Sequence, residues 1–553
     1  MRSLETAELH VGDGMLEADG QGRSPGAETE KRLLADHDAA DDNASRPGAV
    51  DFGAQFDELL EGIGNFGRYQ KILIFCVLLP MTLNFASSSA WIFLIQTPDV
   101  YGCVLPVNNV SESDVKRLLP PPDSKSPSDA QRAYCSMYDV NYSALLNDHV
   151  SVEAAEYFLN NASRLGNIST TVCEEWEFER TSYHSTIVTD WNLVCGADFL
   201  STVAYMVGCL GMLIGIPVGG YFCDHYGRKK TFFVFLFIQI VFGGAAAFSP
   251  NYWTFLILTA IQMLAVNPLY AVPFTLGLEI ISPDYRATFT VFITVFLAVG
   301  DIGFIGVAYF VRAWRSIALI CTFPFVIFAA YWWFLPESPR FLLTQKRYAE
   351  VENFLRRAAK WNGKEYDEKL QTKFIKLVEN FEEYEEKKSM DETSFPFTEL
   401  FSKPNIRRKT LLLMYLSANV TIVYCGLNYY APSLGKDPHL SFLLSNLVEL
   451  PGSLLTQTVA DRLGRRLTTF ACLILGGICC LATLAFPSET DHYIAVLSLF
   501  LIARMFNTTA YTVQELMVCE LLPTVVRGEG VGITNMVSSI VSNLGPVIAY
   551  FQI

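Results

Sequence analysis

The sequence predicts an all-α polytopic membrane protein assembled from two related halves. Three observations predict it: eleven apolar runs long enough to cross a bilayer, a charged hinge that occurs twice between such runs, and a second charged pair that follows each hinge at matched spacing. Of 553 residues, 51% are hydrophobic and 18% charged, whereas soluble domains carry about 25% charged residues. The net charge of −15 is carried mostly by the N-terminal region, the loop at 98–198 and the segment before the seventh run. No basic stripe is present, which excludes nucleic acid as a partner.

Residues 1–50 are rich in Ala, Gly, Asp and Glu and lack a signal-peptide apolar region. They read as a disordered acidic cytoplasmic tail. A bilayer core takes roughly 20 apolar residues per helix. Runs of that length lie near 69–95, 199–222, 231–249, 252–280, 287–311 and 316–335, then near 409–431, 438–460, 467–487, 492–518 and 529–552. Residues 51–335 thus form a first bundle containing loop 98–198, residues 336–408 a cytoplasmic loop, and residues 409–553 a second bundle.

Positive loops stay cytoplasmic. With the N-terminus inside, the inner short loops hold Arg228, Lys229, Lys230, Arg286, Arg462, Arg465, Arg466 and Arg527, and the outer ones hold Arg312, Arg315 and Lys436. Loop 98–198 is then extracellular. It carries four glycosylation sequons, at Asn109, Asn141, Asn161 and Asn167, and four cysteines, Cys103, Cys135, Cys173 and Cys195, for which three pairings are open. The same loop offers a surface for homo-oligomer formation. Segment 336–408 is charged with helical periodicity and reads as solvated surface helices acting as a spacer.

The hinge is "GGYFCDHYGRKK" (219–230), repeated as "VADRLGRRL" (459–467). Both contain D-x-x-G-R-[KR], at Asp224 and Asp461. Downstream, "EIISPDYR" pairs Glu279 with Arg286, and "ELLPTVVR" pairs Glu520 with Arg527, at the same separation. Internal repeats of this kind are a fold signal in transporters.

With "FDELLEGIGNFGRYQ" (56–70), "TPDVYGC" (97–103), "STIVTDWNLVC" (185–195), "PESPRFLLTQKRYAE" (336–350) and "LVELPG" (447–452), the chain resembles the major facilitator superfamily. More narrowly it resembles the organic cation/organic anion/carnitine transporter family. The resemblance implies the major facilitator fold of two pseudo-symmetric six-helix bundles rocking about a central site. It further implies an inner latch of Asp224, Arg228 and Glu279 with Arg286, a counterpart of Asp461, Arg465, Glu520 and Arg527, and added charges at Glu337 and Arg340. The alternative is that these cations only anchor topology. Members have twelve spans, and here eleven are expected with the twelfth missing, as in a fragment or splice form.

A helix lining a watery path carries polar residues at i, i+3, i+4 and i+7. The first run shows Asn84, Ser87, Ser88 and Trp91, and the seventh Ser417, Thr421, Tyr424 and Asn428. The tenth has Arg504, Thr508, Tyr511 and Glu515, and the eleventh Asn535, Ser538, Ser539 and Ser542. Runs 231–249, 316–335 and 467–487 are apolar nearly all round, as scaffold helices would be. Ionisable residues inside the membrane are costly and mark function, which singles out Asp301, Glu449, Arg504 and Glu515; a structural pair of Asp301 or Glu449 with Arg504 is the alternative. Trp91, Tyr270, Tyr424 and Tyr511 suit an ammonium through cation–π attraction.

By the resemblance, Tyr424 falls on the family's Y-x-G-L. Ser417 stands where vertebrate cation carriers have Trp, and Ser539 where cation carriers have Asp and anion carriers Arg, leaving substrate sign open. The chain has no G-x-x-x-x-G-K-[ST], no H-E-x-x-H and no nucleophile elbow, against ATP-driven and enzymatic readings. No cofactor is implied. The expected function is a plasma-membrane secondary carrier of small organic cations or zwitterions, carnitine-like or amine-like. Organic anion exchange, or a transport-dead truncated variant with a receptor or regulatory role, is the alternative.

Overall fold

The computed structural model describes residues 52–64, 66–98, 101–105, 118, 135–145, 152–164, 168–173, 175–178, 180, 183–390, 400–402, 404–434, 437–483, 485–486, 493–522 and 527–542. The side chains of Asp461 and Arg527 lie outside the description, as does all of Asn109 and Asn167. Residues 56–553 form one compact unit and residues 1–55 another.

Helix α1 (Phe52–Gly62) precedes α2 (Arg68–Leu94). The loop that follows folds as β1 (Tyr101–Cys103), β2 (Ser136–Tyr138), α3 (Tyr142–Leu145), α4 (Val152–Arg164), β3 (Thr170–Val172), β4 (Trp176–Phe178) and α5 (Ile187–Asp190). The first set of long helices continues with α6 (Phe199–Tyr226), α7 (Arg228–Ala247), α8 (Tyr252–Leu264), α9 (Val266–Ile280), α10 (Pro283–Val311) and α11 (Trp314–Thr322). Expected run 316–335 does not stay α-helical. It tightens to a 3-10 helix over Phe323–Trp332, where Pro324 has no N–H for the α-helical ladder. Three shorter helices follow, α12 (Pro339–Thr344), α13 (Tyr348–Asn362) and α14 (Glu368–Met390). The second set is α15 (Pro404–Tyr430), α16 (Pro438–Leu463), α17 (Arg465–Thr483), α18 (Tyr493–Leu521) and α19 (Arg527–Ser542).

Among the described residues, nine helices are long and apolar enough to cross a bilayer. The 26-residue α16 matches their length with a more polar composition, and α19 is described for 16 residues. Nine of the eleven expected spans therefore meet the criterion of length and composition. Their unpaired faces carry exposed Phe237, Phe248, Ile327, Trp333, Phe470 and Leu481, the apolar belt that a lipid environment requires. In the first set α2 packs on α10, α9 and α11, and α6 on α8 and α9; in the second, α18 packs on α15, α16 and α17, and α15 on α19. Close approach of α6 to α8 depends on Gly211 and Gly215. A Cβ at either would lie 2.5 Å from the Ala260 carbonyl oxygen or 2.3 Å from that of Leu264, the small-x-x-x-small logic of membrane helices.

The four loop cysteines, whose pairing the sequence left open, join as Cys103–Cys173 and Cys135–Cys195. Strand β1 pairs antiparallel with β4 and β2 with β3. Around them Leu118, Tyr138, Tyr142, Ala155 and Leu159 form a small core, and burial pushes the Tyr142 phenol up to about 12. Asn141 is exposed and Asn161 half-buried on α4. Segment 185–195 fastens this loop to the bundle. Thr186 caps α5, Ile187 and Val188 are buried, and Trp191 meets Phe255 at 5.3 Å and Trp314 at 5.4 Å. Asp190 accepts from the Trp314 indole at 2.9 Å and pairs with Arg315.

Segment 336–408 corrects one expectation, because its helices are not merely solvated. Val351, Phe354, Leu355, Ala358 and Ala359 of α13 are buried. At the end of α13, Asn362 accepts from the Tyr69 N–H at 3.0 Å and donates to the Ile63 carbonyl (3.0 Å) and Gln70 Oε1 (2.9 Å). Lys373 meets Glu58 at 2.6 Å. The charged residues that dominate the composition occupy the outer face, while a 3.6-period apolar stripe holds these helices to 56–70.

Candidate transport path and charged hinges

Each hinge starts with a left-handed glycine, Gly227 at φ +94° and Gly464 at φ +81°, a conformation that side chains disfavour. The next residue, Arg228 or Arg465, turns back onto the preceding helix. Arg228 Nη1 donates to the Cys223 carbonyl at 3.3 Å and Nη2 to Glu279 at 2.9 Å. Arg465 Nη1 donates to the Ala460 carbonyl at 3.0 Å and Nη2 to Glu520 at 3.3 Å. Thr231 and Thr468 both return their hydroxyls to the hinge glycine's carbonyl. These three contacts, from arginine to carbonyl, arginine to glutamate and threonine to glycine, recur in both hinges.

Three placements differ from the expected latch. Arg286 does not join Arg228 and Glu279; it reaches Asp57 at 3.4 Å, and Arg340 also pairs with Asp57. Asp224 is largely exposed and 3.8 Å from Arg228, so Glu279 is the closer partner. Glu337 forms no ion pair among the described residues: its Oε1 accepts the backbone N–H groups of Arg228 (2.8 Å), Lys229 (3.1 Å) and Ser338 (3.0 Å). A carboxylate is stabilising there because the first turn of α7 leaves donors unpaired and carries the positive end of the helix dipole. Asp57 lies in the quoted 56–70 motif, but nothing local to that motif assigns it two arginines from remote loops. Asp224→Asn is expected to move the melting temperature by less than Glu279→Gln, about 0–1 kcal/mol for an exposed pair against about 1.5–3 kcal/mol for a half-buried charged hydrogen bond, checked by thermal unfolding in detergent.

At membrane depth Arg504 of α18 is fully buried. It pairs with Glu449 of α16, donates to the Tyr424 carbonyl at 2.9 Å and to Asn428 Oδ1 at 3.4 Å, and lies 4.2 Å over the Tyr424 ring. The Tyr424 hydroxyl donates to Glu449 at 3.1 Å. Of the two pairings left open, Arg504 takes Glu449. Asp301, 4% exposed, instead accepts from the Ser89 hydroxyl at 2.8 Å. Tyr511 stacks on Tyr424 with centroids 5.0 Å apart and hydrogen-bonds with Glu515 one turn along α18. Tyr270 of α9 stacks on Phe274 and lies within electrostatic reach of Glu515.

The expected stripe on α2 is turned into the protein. Asn84 is buried and donates to the Val266 carbonyl at 2.9 Å, Ser87 accepts from Gln239, and Trp91 stacks on Phe255. Ser88 alone of the four is half-buried. Small polar side chains serve helix packing as readily as a path, and here packing took them. Ser417 is likewise buried and accepts from Gln514. Thr421 is half-buried, and Ser539, also half-buried, gives its carbonyl to the Ser542 hydroxyl.

The loop-bearing end of the bundle holds an aromatic plug absent from the sequence reading. Phe93 of α2 meets Phe304 of α10 at 5.4 Å and Phe442 of α16 at 5.1 Å, and His439 sits among Phe93, Tyr183 and Tyr309. Tyr205 of α6 meets Tyr429 of α15 at 5.4 Å. The Phe93–Phe442 and Tyr205–Tyr429 contacts join the two helix sets, whereas none of the Arg228–Glu279, Arg286–Asp57, Arg340–Asp57 and Arg465–Glu520 pairs does. Aromatics at the ends of apolar runs were the available signal, but such residues also serve as interfacial anchors.

The Major Facilitator Superfamily matches residues 192–546. The Beta-alanine transporter of Drosophila melanogaster is 34% identical over 506 residues, covering 89% of this chain and 81% of that protein. The Organic cation/carnitine transporter 2 of Homo sapiens is 30% identical over 501 residues, covering 90% of this chain and 86% of that protein. The xylose transporter XylE from E. coli, in a partially occluded inward open conformation, superimposes with a TM-score of 0.53 at 15% identity over 86% of this chain and 90% of its own, a likeness of fold. The chain belongs to the major facilitator superfamily and, within it, to the organic cation and carnitine transporters of solute carrier family 22.

Proposed function

We propose that this protein is a plasma-membrane secondary carrier of small organic cations or zwitterions, with its N-terminus in the cytoplasm and its disulfide-bonded loop outside. The observation that carries the reading is the charge balance at membrane depth. Inside the apolar runs Asp301, Glu449 and Glu515 outnumber the cation Arg504, which Glu449 already neutralises. Tyrosines from both helix sets line the same depth, and a desolvated ammonium gains about 2 kcal/mol or more from each well-placed ring face. An anion would find its one candidate partner occupied.

The relatives named for β-alanine and for organic cations and carnitine support the same substrate class. Alternating access would use the joined aromatic plug as the outer closure and the two hinges as the inner supports, the two bundles being residues 51–335 and 409–553. The residues Asn109, Asn141, Asn161 and Asn167 would carry glycans on the outer loop. Cells expressing the protein are expected to take up tetraethylammonium or β-alanine, the cation flux rising with inside-negative potential, and to ignore benzoate. Benzoate uptake without either amine would overturn the reading.

A further inference from the structure

We propose that Glu515 is the counter-ion that selects a positively charged head group, an inference that rests on the carrier function just proposed. Of Asp301, Glu449, Arg504 and Glu515, the ionisable residues singled out inside the apolar runs, three have their charge or hydrogen-bonding capacity committed within the protein. Arg504 and Glu449 hold each other, with the Tyr424 carbonyl and hydroxyl completing the arrangement. Asp301 is sealed between α10 and α2 and takes the Ser89 hydroxyl. Glu515 differs. Its described partner is the Tyr511 hydroxyl on its own helix, and no Lys, Arg or His pairs with it among the described residues.

Glu515 is also exposed although Arg504 and Thr508, on the same face of α18, are buried. That combination belongs to the wall of a cleft. A carboxylate facing lipid at this depth would be strongly disfavoured, so the accessible side opens on water. The residue lies on the same face of α18 as Arg504, Thr508 and Tyr511, spaced by three or four positions. Opposite, α9 of the other helix set brings Tyr270 into its electrostatic field. With Tyr424 stacked on Tyr511, an uncommitted carboxylate stands beside tyrosine rings supplied by both sets. A quaternary or primary ammonium fits that arrangement, gaining a charge partner and ring faces together.

Because both helix sets contribute, the ammonium would be held only while they are close on this side, which ties recognition to the rocking motion. Glu515 acts on binding of charge, so its loss should appear in KM for charged solutes and spare surface delivery. The test measures tetraethylammonium uptake by wild type, Glu515→Gln and Glu515→Asp in cells, with surface biotinylation as the control for delivery. The expected result is a KM raised at least tenfold by Glu515→Gln, with kcat changed less than threefold, wild-type surface levels, and recovery to within threefold by Glu515→Asp. Unchanged KM in Glu515→Gln, or equal loss in Gln and Asp variants, overturns the assignment of Glu515. Absence of cation uptake by the wild type overturns the carrier reading itself, which keeps the two failures distinct.

Discussion

Arg504→Met should give the largest loss of stability of any single change in this protein. Its guanidinium is completely buried and meets Glu449, the Tyr424 carbonyl and Asn428 at once. Removing it leaves the Glu449 carboxylate inside the protein without a cation, and breaking a buried pair from one side costs about 3–5 kcal/mol. The Tyr424 hydroxyl still donates to Glu449 but does not cancel its charge. Fluorescence-detected size exclusion and thermal unfolding should therefore show little folded Arg504→Met. The double variant Arg504→Met with Glu449→Met removes both charges and should recover most of the stability, because an apolar pair of similar volume is often as stable as a buried salt bridge. A double variant no more stable than Arg504→Met would contradict this account of the pair.

The second large effect concerns the outer loop. The Cys103–Cys173 and Cys135–Cys195 bonds close loops of 70 and 60 residues, and a cross-link over that length stabilises by about 4 kcal/mol in the chain-entropy account. The Cys135–Cys195 bond has the further role of tying the strand region to the start of α6, beside the Trp191, Phe255 and Trp314 cluster. Cys135→Ser should lower the melting temperature and surface expression sharply. Adding Cys195→Ser to it should cost almost nothing more, because the bond is already lost. Adding Cys103→Ser instead should cost a second full increment. Equal further losses from both combinations would refute the connectivity.

Much of the membrane architecture was legible beforehand because it rests on local chemistry. An apolar run of bilayer length needs only its own composition to be read as a span, and nine helices meet that test among the described residues. The hinge repeat was legible as a motif, D-x-x-G-R-[KR] followed by a glutamate and an arginine downstream at matched spacing; the arginine's return to the preceding turn appeared only in the structure. The four loop cysteines were visible, but their pairing was not, since any of three connectivities satisfies the same composition.

Composition and spacing by themselves established a polytopic helical protein with a duplicated charged hinge, because periodicity and hydropathy are properties of a single segment. Only the folded structure decided that Asn84 and Trp91 pack inside their helix set, that Arg286 leaves Glu279 for Asp57, and that Glu449 claims Arg504 while Asp301 does not. Those outcomes depend on which side chains distant segments bring within about 4 Å. A buried polar group takes the nearest partner that satisfies it, and that partner is set by packing across helices hundreds of residues apart in some cases.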